Sequence, residues 1–307
     1  MNEVEKRELA AKVPYWFHSY DFGDGLTIEG HKSLDKLVQE WDLLKLPNLT
    51  GKTVLDINTW DGWFAQRAER AGAKRVVGLD WYMWSMDQTE HVKYYLQNKA
   101  AGTIPEPYHA MPYFRPAELP GKIGFDTARR INSSRVEEVV GDFATMTLDP
   151  LRNQFDVVLY LGTLYHMADP LGNLRRLYEV TAPGGLAVIE TQATAIAGLE
   201  GVPLCENYGP LHSYNADSSN WWSPNAIALR QMLLAVGFDT AEITVGPPPE
   251  PIATISKRDA LRALLRTALG KLVATSLVQP SIRPYRAYAH ARRSAEKTTR
   301  PNPVPAP

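Results

Sequence analysis

Residues 52–80 constrain the fold more than any other stretch of this chain, because they encode a strand, a helix and a second strand in succession. The apolar run at residues 54–57 is short and bounded by turn residues, which predicts a buried parallel strand. Helical spacing follows over residues 62–71, and a second apolar strand then ends at Asp80. This unit predicts a doubly wound α/β sheet that binds a ligand at the carboxyl ends of its strands.

The turn at residues 56–62 carries the polar chemistry of this unit. It lacks the three glycines of a dinucleotide fingerprint, so a pyrophosphate would find no glycine-rich cradle, which argues against NAD and FAD. Asp80 follows the turn by roughly 20 residues, at the end of the next strand, where doubly wound sheets offer acceptors to ribose hydroxyls. The turn and Asp80 together predict a nucleoside ligand without a phosphate group.

The same turn resembles the first motif of class I S-adenosylmethionine (SAM) dependent methyltransferases, in which an acid opens the turn and glycines follow. Asp56 and Gly62 match that motif, whereas Asn58 and Trp60 stand at its first two glycines. Because Asn tolerates a left-handed backbone, we expect the turn to survive, with Trp60 packed over or beside the cofactor. The resemblance implies a Rossmann-like methyltransferase fold with SAM as its cofactor.

Two further segments are similar to the tRNA wobble-uridine carboxymethyltransferases and their small-molecule relatives. Residues 16–25 match Trp-x-His-Ser-x-Asp-x-Gly-x-Gly, and residues 162–171 contain Gly-x-Leu-Tyr-His followed by Asp-Pro-Leu. With the first motif, the resemblance covers residues 14–245. It implies that the earlier segment closes over the cofactor cleft, which makes His18 and Tyr20 cleft candidates. The alternative is a surface loop ordered by its own Asp and Gly turns.

Further strands are predicted at residues 136–140, 155–161, 186–191 and 240–245, and an antiparallel strand at 283–291 completes a seven-stranded, mostly parallel sheet. An aromatic residue directly after Asp80 is placed to stack on an adenine. The acid and aromatic at the end of the third strand have the adenine-binding role that the resemblance implies. The predicted cofactor-binding residues are Asp56, Asn58, Trp60, Gly62, Asp80, Trp81, Asp142, Phe143, Leu161 and Tyr20.

The loop at residues 162–169 follows the most apolar strand, and chemistry is expected there because substrates lie outside the carboxyl ends of strands. His166 is the predicted general base, since histidine titrates near neutral pH. An alternative has His166, Asp217 and His212 holding a divalent ion that binds vicinal hydroxyls. No spacing rule supports that set, so the prediction includes no metal site.

The polar and aromatic stretch at residues 200–222 shows no periodicity. Aromatic rings beside amides and acids suit a sugar or polyol, whose faces stack while its hydroxyls form hydrogen bonds. The alternative is a structured loop that packs its tryptophans into the core. The predicted substrate-binding residues are His18, Tyr165, His212, Tyr214, Asp217, Asn220, Trp221 and Trp222.

Charge is distributed unevenly along the 307 residues. Residues 257–307 contain eleven Lys and Arg against two acids, whereas residues 1–256 contain 22 against 32. An acidic body argues against a nucleic-acid substrate, because phosphate binding needs a basic face. We therefore expect a small-molecule substrate and no nucleic-acid partner, with a homo-oligomer left open.

Other features of the composition limit the class of protein. Cys205 is the only cysteine, which excludes an intrachain disulfide and a cysteine-based zinc site. The first residues are charged and no long apolar run follows, so we expect neither a secretory signal nor a transmembrane segment and place the protein in the cytoplasm.

The expected domain organisation has a central core with additions at both ends. It consists of an N-terminal cap segment and helix (1–50), the SAM-binding core (51–246) with insertions at about 104–120 and 200–222, a helical insertion and final strand (247–292, with the helix at 257–274), and a disordered tail (293–307).

Three functions remain open from the sequence. The first is SAM-dependent methylation of a hydroxyl on a saccharide or glycosylated metabolite, as in natural-product or carbohydrate modification. The second is modification of the tRNA wobble uridine, and the third is a catalytically inactive scaffold, which Asn58 and Trp60 suggest.

Overall fold

The structure is a computed structural model that describes residues 1–196, 198–199, 201–208, 214–246 and 282–296. Its N-terminal region begins with helix α1 (Glu3–Ala10), whose N-terminus has a capping box between Asn2 and Glu5. Two short strands, β1 (Tyr20–Asp21) and β2 (Thr27–Ile28), pair in antiparallel fashion, and helix α2 (Leu34–Leu43) follows.

Five neighbouring strands of the main sheet are parallel, and each corresponds to a strand predicted from the sequence. They are β3 (Thr53–Ile57), β4 (Arg75–Asp80), β5 (Glu137–Val140), β6 (Phe155–Leu161) and β7 (Thr181–Ile196).

Four strands and a helix after β7 complete the main part of the described fold. Strands β8 (Cys205–Asn207) and β9 (Trp222–Pro224) form a small antiparallel pair, and helix α7 (Ala226–Ala235) leads into β10 (Thr240–Val245). Strand β11 (Ile282–Arg292) pairs antiparallel with both β7 and β10. The order in the seven-stranded sheet is β10-β11-β7-β6-β3-β4-β5. The predicted α/β class, the seven-stranded mostly parallel sheet and its inserted antiparallel strand are confirmed.

Four helices connect the central strands and pack on the sheet. They are α3 (Trp63–Arg70), α4 (Gln88–Ala101), α5 (Ile123–Asn132) and α6 (Pro170–Val180). Apolar side chains divide into two clusters around the sheet, as a doubly wound fold requires. Among the described residues, every helix is too short or too polar to cross a membrane.

Capping residues determine where two of the helices begin. Helix α2 begins at Leu34, since Ser33 caps it. Helix α7 begins at Ala226, since Asn225 caps it. The helix predicted at 257–274 and the tail from 297 onward lie outside the described residues.

Candidate active site

The turn at residues 56–62 connects β3 to α3 at the carboxyl edge of the sheet. The strand order reverses between β3 and β6, which is the position where open α/β sheets bind ligands. Asn58 (φ +59°) and Trp60 (φ +53°) both have a left-handed backbone, so the expectation that Asn58 preserves the turn is confirmed. At Gly62 (φ +83°), a Cβ would lie 2.7 Å from the Phe125 ring, so only glycine fits.

Trp60 adopts a backbone conformation that is unfavourable for a bulky residue, and three contacts hold it there. Its N–H donates to Asp80 Oδ2 over 2.9 Å, and its carbonyl accepts from Trp84 Nε1 over 2.6 Å. Its ring stacks on Phe17 with centroids 3.7 Å apart and planes 5° from parallel. The Trp60 side chain is therefore fixed against the N-terminal segment.

Asp56 and Asp80 lie at the same edge of the sheet but are enclosed. Asp80 is 0% exposed and accepts from the backbone N–H groups of Trp60 and, over 3.1 Å, Met83. Asp56 is 3% exposed and accepts from the Thr59 hydroxyl over 2.5 Å. Burial raises the pKa of Asp56 to about 7 and that of Asp80 to about 6. Both carboxylates are thus enclosed by the protein, and cofactor contact by Asp56 and Asp80 stays a prediction.

The N-terminal segment is held on the turn by Asp61, a residue that the sequence analysis passed over. Asp61 Oδ2 accepts from the backbone N–H groups of Phe17 (3.1 Å) and His18 (2.9 Å). Asp61 Oδ1 contacts His18 Nδ1, and the Tyr20 hydroxyl donates to the Asp61 carbonyl over 2.6 Å. His18 and Tyr20, predicted as substrate and cofactor contacts, are thus buried in the attachment of this segment.

The remaining predicted cofactor residues surround the same edge. The Trp81 ring meets Phe114 edge-on, with centroids 5.3 Å apart. Asp142 accepts hydrogen bonds from the Ala144 N–H and the Thr145 hydroxyl in the turn that follows it. Phe143 is buried in the core, and Leu161 is half-buried at the end of β6. Cofactor contact stays a prediction for all four predicted residues.

His166 lies in the 3₁₀ turn Leu164–His166, directly after β6. Its Nδ1 is 2.8 Å from the Ser219 hydroxyl and 3.3 Å from the Ser219 carbonyl oxygen. The same hydroxyl is 2.6 Å from Asp217 Oδ1, which also accepts the Ser219 N–H over 2.9 Å. A chain of hydrogen bonds therefore connects His166 to Asp217 through Ser219.

The direction of these bonds determines the tautomer of His166. A carboxylate only accepts, so the Ser219 hydroxyl donates its single proton to Asp217 and accepts from His166. The Ser219 carbonyl also only accepts, which requires Nδ1 to carry the proton. Nε2 is then left with a lone pair. Burial lowers the pKa of His166, and Asp217 partly opposes that shift, so the ring is neutral near pH 7.

Tyr165 is positioned by an ion pair on the neighbouring strands. Arg286 of β11 pairs with both oxygens of Glu190, with Nη2 2.6 Å from Oε2, and its guanidinium lies 5.2 Å from the Tyr165 ring centroid. Glu190 Oε2 also accepts from the Gly162 N–H over 2.9 Å. Burial raises the pKa of Tyr165, so its phenol stays neutral.

Two predicted substrate residues, Asn220 and Tyr214, lie in a loop that folds back on itself. Asn220 is buried and its Nδ2 donates to the Tyr214 carbonyl over 2.9 Å. The Tyr214 ring stacks on Tyr208 with centroids 5.2 Å apart. His212 lies outside the described residues.

The two tryptophans of this loop contact the segment that carries His166. The Trp221 N–H donates to the Tyr165 carbonyl over 2.8 Å, and the Trp221 side chain is exposed. Trp222 Nε1 donates to the Ala168 carbonyl over 3.1 Å. These bonds place Trp221 and Trp222 beside the 162–169 loop, whereas the alternative had both tryptophans in the core.

The sequence analysis did not identify Asp61, Ser219 or Arg286 as functional residues. Asp61 had a usable signal, namely an acid inside the turn. Arg286 also had one, because a charged residue in the middle of a strand that lies between two others needs a partner. Ser219 had none, since serines are common in irregular segments.

Within the described ranges, no three His, Cys, Asp or Glu side chains come together as a set of metal ligands. The alternative metal site also required His212, which lies outside these ranges.

Comparisons of this chain with a family model and with curated proteins both point to methyltransferases. Residues 31–243 match a family model described as a methyltransferase domain. A tRNA U34 carboxymethyltransferase from Marinobacter nauticus is 26% identical over 206 residues, which are 66% of this chain and 49% of that protein. The Shewanella baltica protein of the same name is 30% identical over 201 residues, 65% of this chain and 48% of its own length. The chain thus spans about half the length of the curated relatives it matches.

Among solved structures, the cyclase SpnF aligns over 94% of this chain and 91% of its own, with 15% identity and a TM-score of 0.51. At this identity the likeness concerns the fold alone.

Proposed function

The chain belongs to the methyltransferase domain family and is a SAM-dependent methyltransferase, and from this premise we propose that it methylates a hydroxyl group of a small, hydroxylated acceptor. A saccharide or a glycosylated metabolite is the acceptor class that we favour. As an enzyme, it is not the inactive scaffold that the altered first motif suggested.

The turn at residues 56–62 fits a nucleoside cofactor that carries no phosphate. Asn58 and Trp60 have the left-handed backbone that glycines would supply, so the altered motif keeps its geometry. The backbone of this turn, with Asp80 at the same edge, would hold SAM. When bound, SAM supplies an electrophilic methyl group on a sulfonium centre.

The single observation that carries the proposal is the hydrogen-bond chain from His166 to Asp217. A hydroxyl acceptor must lose its proton as the methyl group is transferred, and the lone pair on His166 Nε2 is suited to accept it. The imidazolium that forms would be stabilised by Asp217 through Ser219, as the third group of a catalytic triad stabilises its histidine. Amine or thiol acceptors need such a base less, which is why we favour oxygen.

A second candidate function is carboxymethyl transfer to tRNA, because the curated relatives are named as tRNA U34 carboxymethyltransferases. A carboxylated SAM derivative needs a cation for its extra carboxylate, and Arg286 beside Tyr165 is a half-buried cation near the 162–169 loop. Two observations favour the first candidate. Both Glu190 oxygens already pair with Arg286, and the first 256 residues carry an excess of acids.

The test is a transfer assay with SAM carrying a radiolabelled methyl group, offered with neutral sugars, glycolipid extracts and total tRNA. We expect label in hydroxylated small molecules, as a base-stable ether. A parallel assay supplies carboxylated SAM with tRNA, and modification of tRNA there, with no labelled sugar or lipid, would refute the proposal in favour of the second candidate.

His166→Ala should lower turnover by about 10²- to 10⁴-fold and leave SAM affinity unchanged, because general-base catalysis contributes on that scale. Retained turnover in this variant would remove His166 from the mechanism. Calorimetry with SAM verifies that the cofactor site is intact.

A further inference from the structure

A group of polar aromatic side chains lies near Asp217. His91 belongs to α4, Tyr108 to the 3₁₀ turn Tyr108–Ala110, and Tyr113 follows that turn. Ring centroids of His91 and Tyr108 are 4.6 Å apart, and those of His91 and Tyr113 are 6.1 Å apart. We call these three residues the His91 cluster.

Most polar atoms of the His91 cluster are buried without partners. Both ring nitrogens of His91 and the hydroxyl of Tyr113 have no hydrogen-bond partner in the described part of the chain, whereas the Tyr108 hydroxyl is within reach of the Asp217 carboxylate. Tyr108 is 2% exposed. An unpaired buried polar group costs about 1–3 kcal/mol, so three such atoms on two neighbouring rings are difficult to explain by packing alone. A ligand that bonds to them would remove this cost.

The His91 cluster is electrostatically connected to the proposed base. Burial raises the pKa of Tyr108 and Asp217 raises it further, whereas burial lowers the pKa of His91 against the opposing effect of the same carboxylate. Asp217 acts in the same way on His166. One carboxylate therefore faces both the His91 cluster and the base.

The insertion that contributes Tyr108 and Tyr113 is tied to the Asp217 loop. The Ser218 hydroxyl donates to the Glu106 carbonyl over 3.2 Å, which brings the two segments together. The segment that carries Tyr108 and Tyr113 is thus bonded to the loop whose Ser219 contacts the base.

We propose that the His91 cluster and Asp217 bind the non-reacting part of the acceptor as an uncharged, hydroxylated ring. This inference rests on the proposed function, since it assumes that the acceptor reaches His166.

The chemistry of the cluster selects an uncharged ligand. Neutral phenols and a neutral imidazole both donate and accept, which is the bonding capacity of sugar hydroxyls. The carboxylate of Asp217 would repel a phosphate or carboxylate. Arg115, the cation next to the cluster in sequence, is already paired with Asp87 and Glu118. Aromatic ring faces would pack on the apolar face of a pyranose.

The matched variants are Tyr108→Phe and His91→Phe, which remove polar atoms and keep the rings. Tyr94→Phe is the control, because Tyr94 packs on the same rings while its hydroxyl already accepts from the Glu106 N–H over 2.9 Å. Thermal melts verify that each variant is folded.

Binding is measured on protein saturated with S-adenosylhomocysteine, so that no chemistry is involved. Methyl glycosides of neutral hexoses and deoxyhexoses, hexosamines and hexose phosphates are titrated by ligand-observed NMR. We expect neutral glycosides to bind, hexose phosphates not to bind, and Tyr108→Phe and His91→Phe each to weaken binding roughly two- to tenfold, the loss of one neutral hydrogen bond. Tyr94→Phe should bind like the wild type.

The outcomes separate this inference from the proposed function. Three results would overturn the role of the cluster, even if His166-dependent methylation is observed. They are a preference for phosphates or amines, no binding of glycosides, and glycoside affinity that is the same in Tyr108→Phe and His91→Phe as in the wild type. Cluster-dependent binding with no methyl transfer to any hydroxyl would uphold the cluster and refute the proposed function.

Discussion

Replacing Asp217 by Asn tests the proposed base most directly. Hydrogen bonds of 2.8 and 2.6 Å join the His166 ring to Ser219 and Ser219 to Asp217. The imidazolium and carboxylate charges therefore lie about 5 Å apart, where two unit charges attract by about 3 kcal/mol at an effective dielectric constant of ~20. Half-burial of Asp217 reduces this value, so we expect kcat to fall by about 10- to 100-fold.

The pH dependence provides a readout that a merely structural role would not move. Activity needs neutral His166, so it declines as pH falls through the pKa of that residue. Asp217 raises this pKa, so Asp217→Asn should shift the acid limb of the kcat/KM profile to lower pH while it lowers the plateau. A lower plateau combined with an acid limb at lower pH is the signature of the lost carboxylate.

Two further substitutions complete the experiment. Ser219→Ala should reduce kcat by about tenfold through the loss of one bridging hydrogen bond, and Ser219→Thr, which keeps the hydroxyl, should restore it. Asp149→Asn removes an equal charge at an exposed site and should change neither quantity. An unaltered plateau and acid limb in Asp217→Asn would refute the role of Asp217.

Three other predictions concern the N-terminal segment and the buried acids. Phe17→Ala removes the ring stacked on Trp60 and should lower the free energy of unfolding by at least about 1 kcal/mol, measured by urea denaturation. A double-mutant cycle with Trp60→Gly that shows no coupling energy between the two residues would contradict this prediction. Asp61→Ala leaves the N–H groups of Phe17 and His18 unpaired, so hydrogen exchange of the backbone amides at residues 17–20 should accelerate strongly. Exchange as slow as in the wild type would show that Asp61 is not the attachment point. Burial raises the pKa of Asp56 to about 7, so the folded state binds more protons than the unfolded state between about pH 4 and 7. The free energy of unfolding should therefore fall as pH rises through that window, and Asp56→Asn should flatten this dependence on pH. The same dependence in both proteins would mean that Asp56 is ionised throughout.

The predicted substrate residues show what residue type can indicate from the sequence and what it cannot. Asp217 was selected because acids beside aromatics suit a polyol, and its hydrogen bond to Ser219 also makes it part of the chain behind His166. His18 was selected from a motif match, yet its imidazole is occupied by Asp61. In both cases the residue type indicated a polar contact, but the partner could not be predicted because it lies 43 or more residues away in the sequence.

Local patterns in the sequence were sufficient to predict the seven strands of the main sheet, the turn at residues 56–62 and the loop with His166. Those features depend on the spacing of apolar residues and on backbone preferences within a few residues, so they can be predicted from short segments. The three-dimensional structure was needed to show that Ser219 joins His166 to Asp217, that Arg286 pairs with Glu190 and that His91 lies beside Tyr108. Such meetings depend on which strands become neighbours and how loops fold over their ends, and many sequences of the same local pattern would pack those side chains differently.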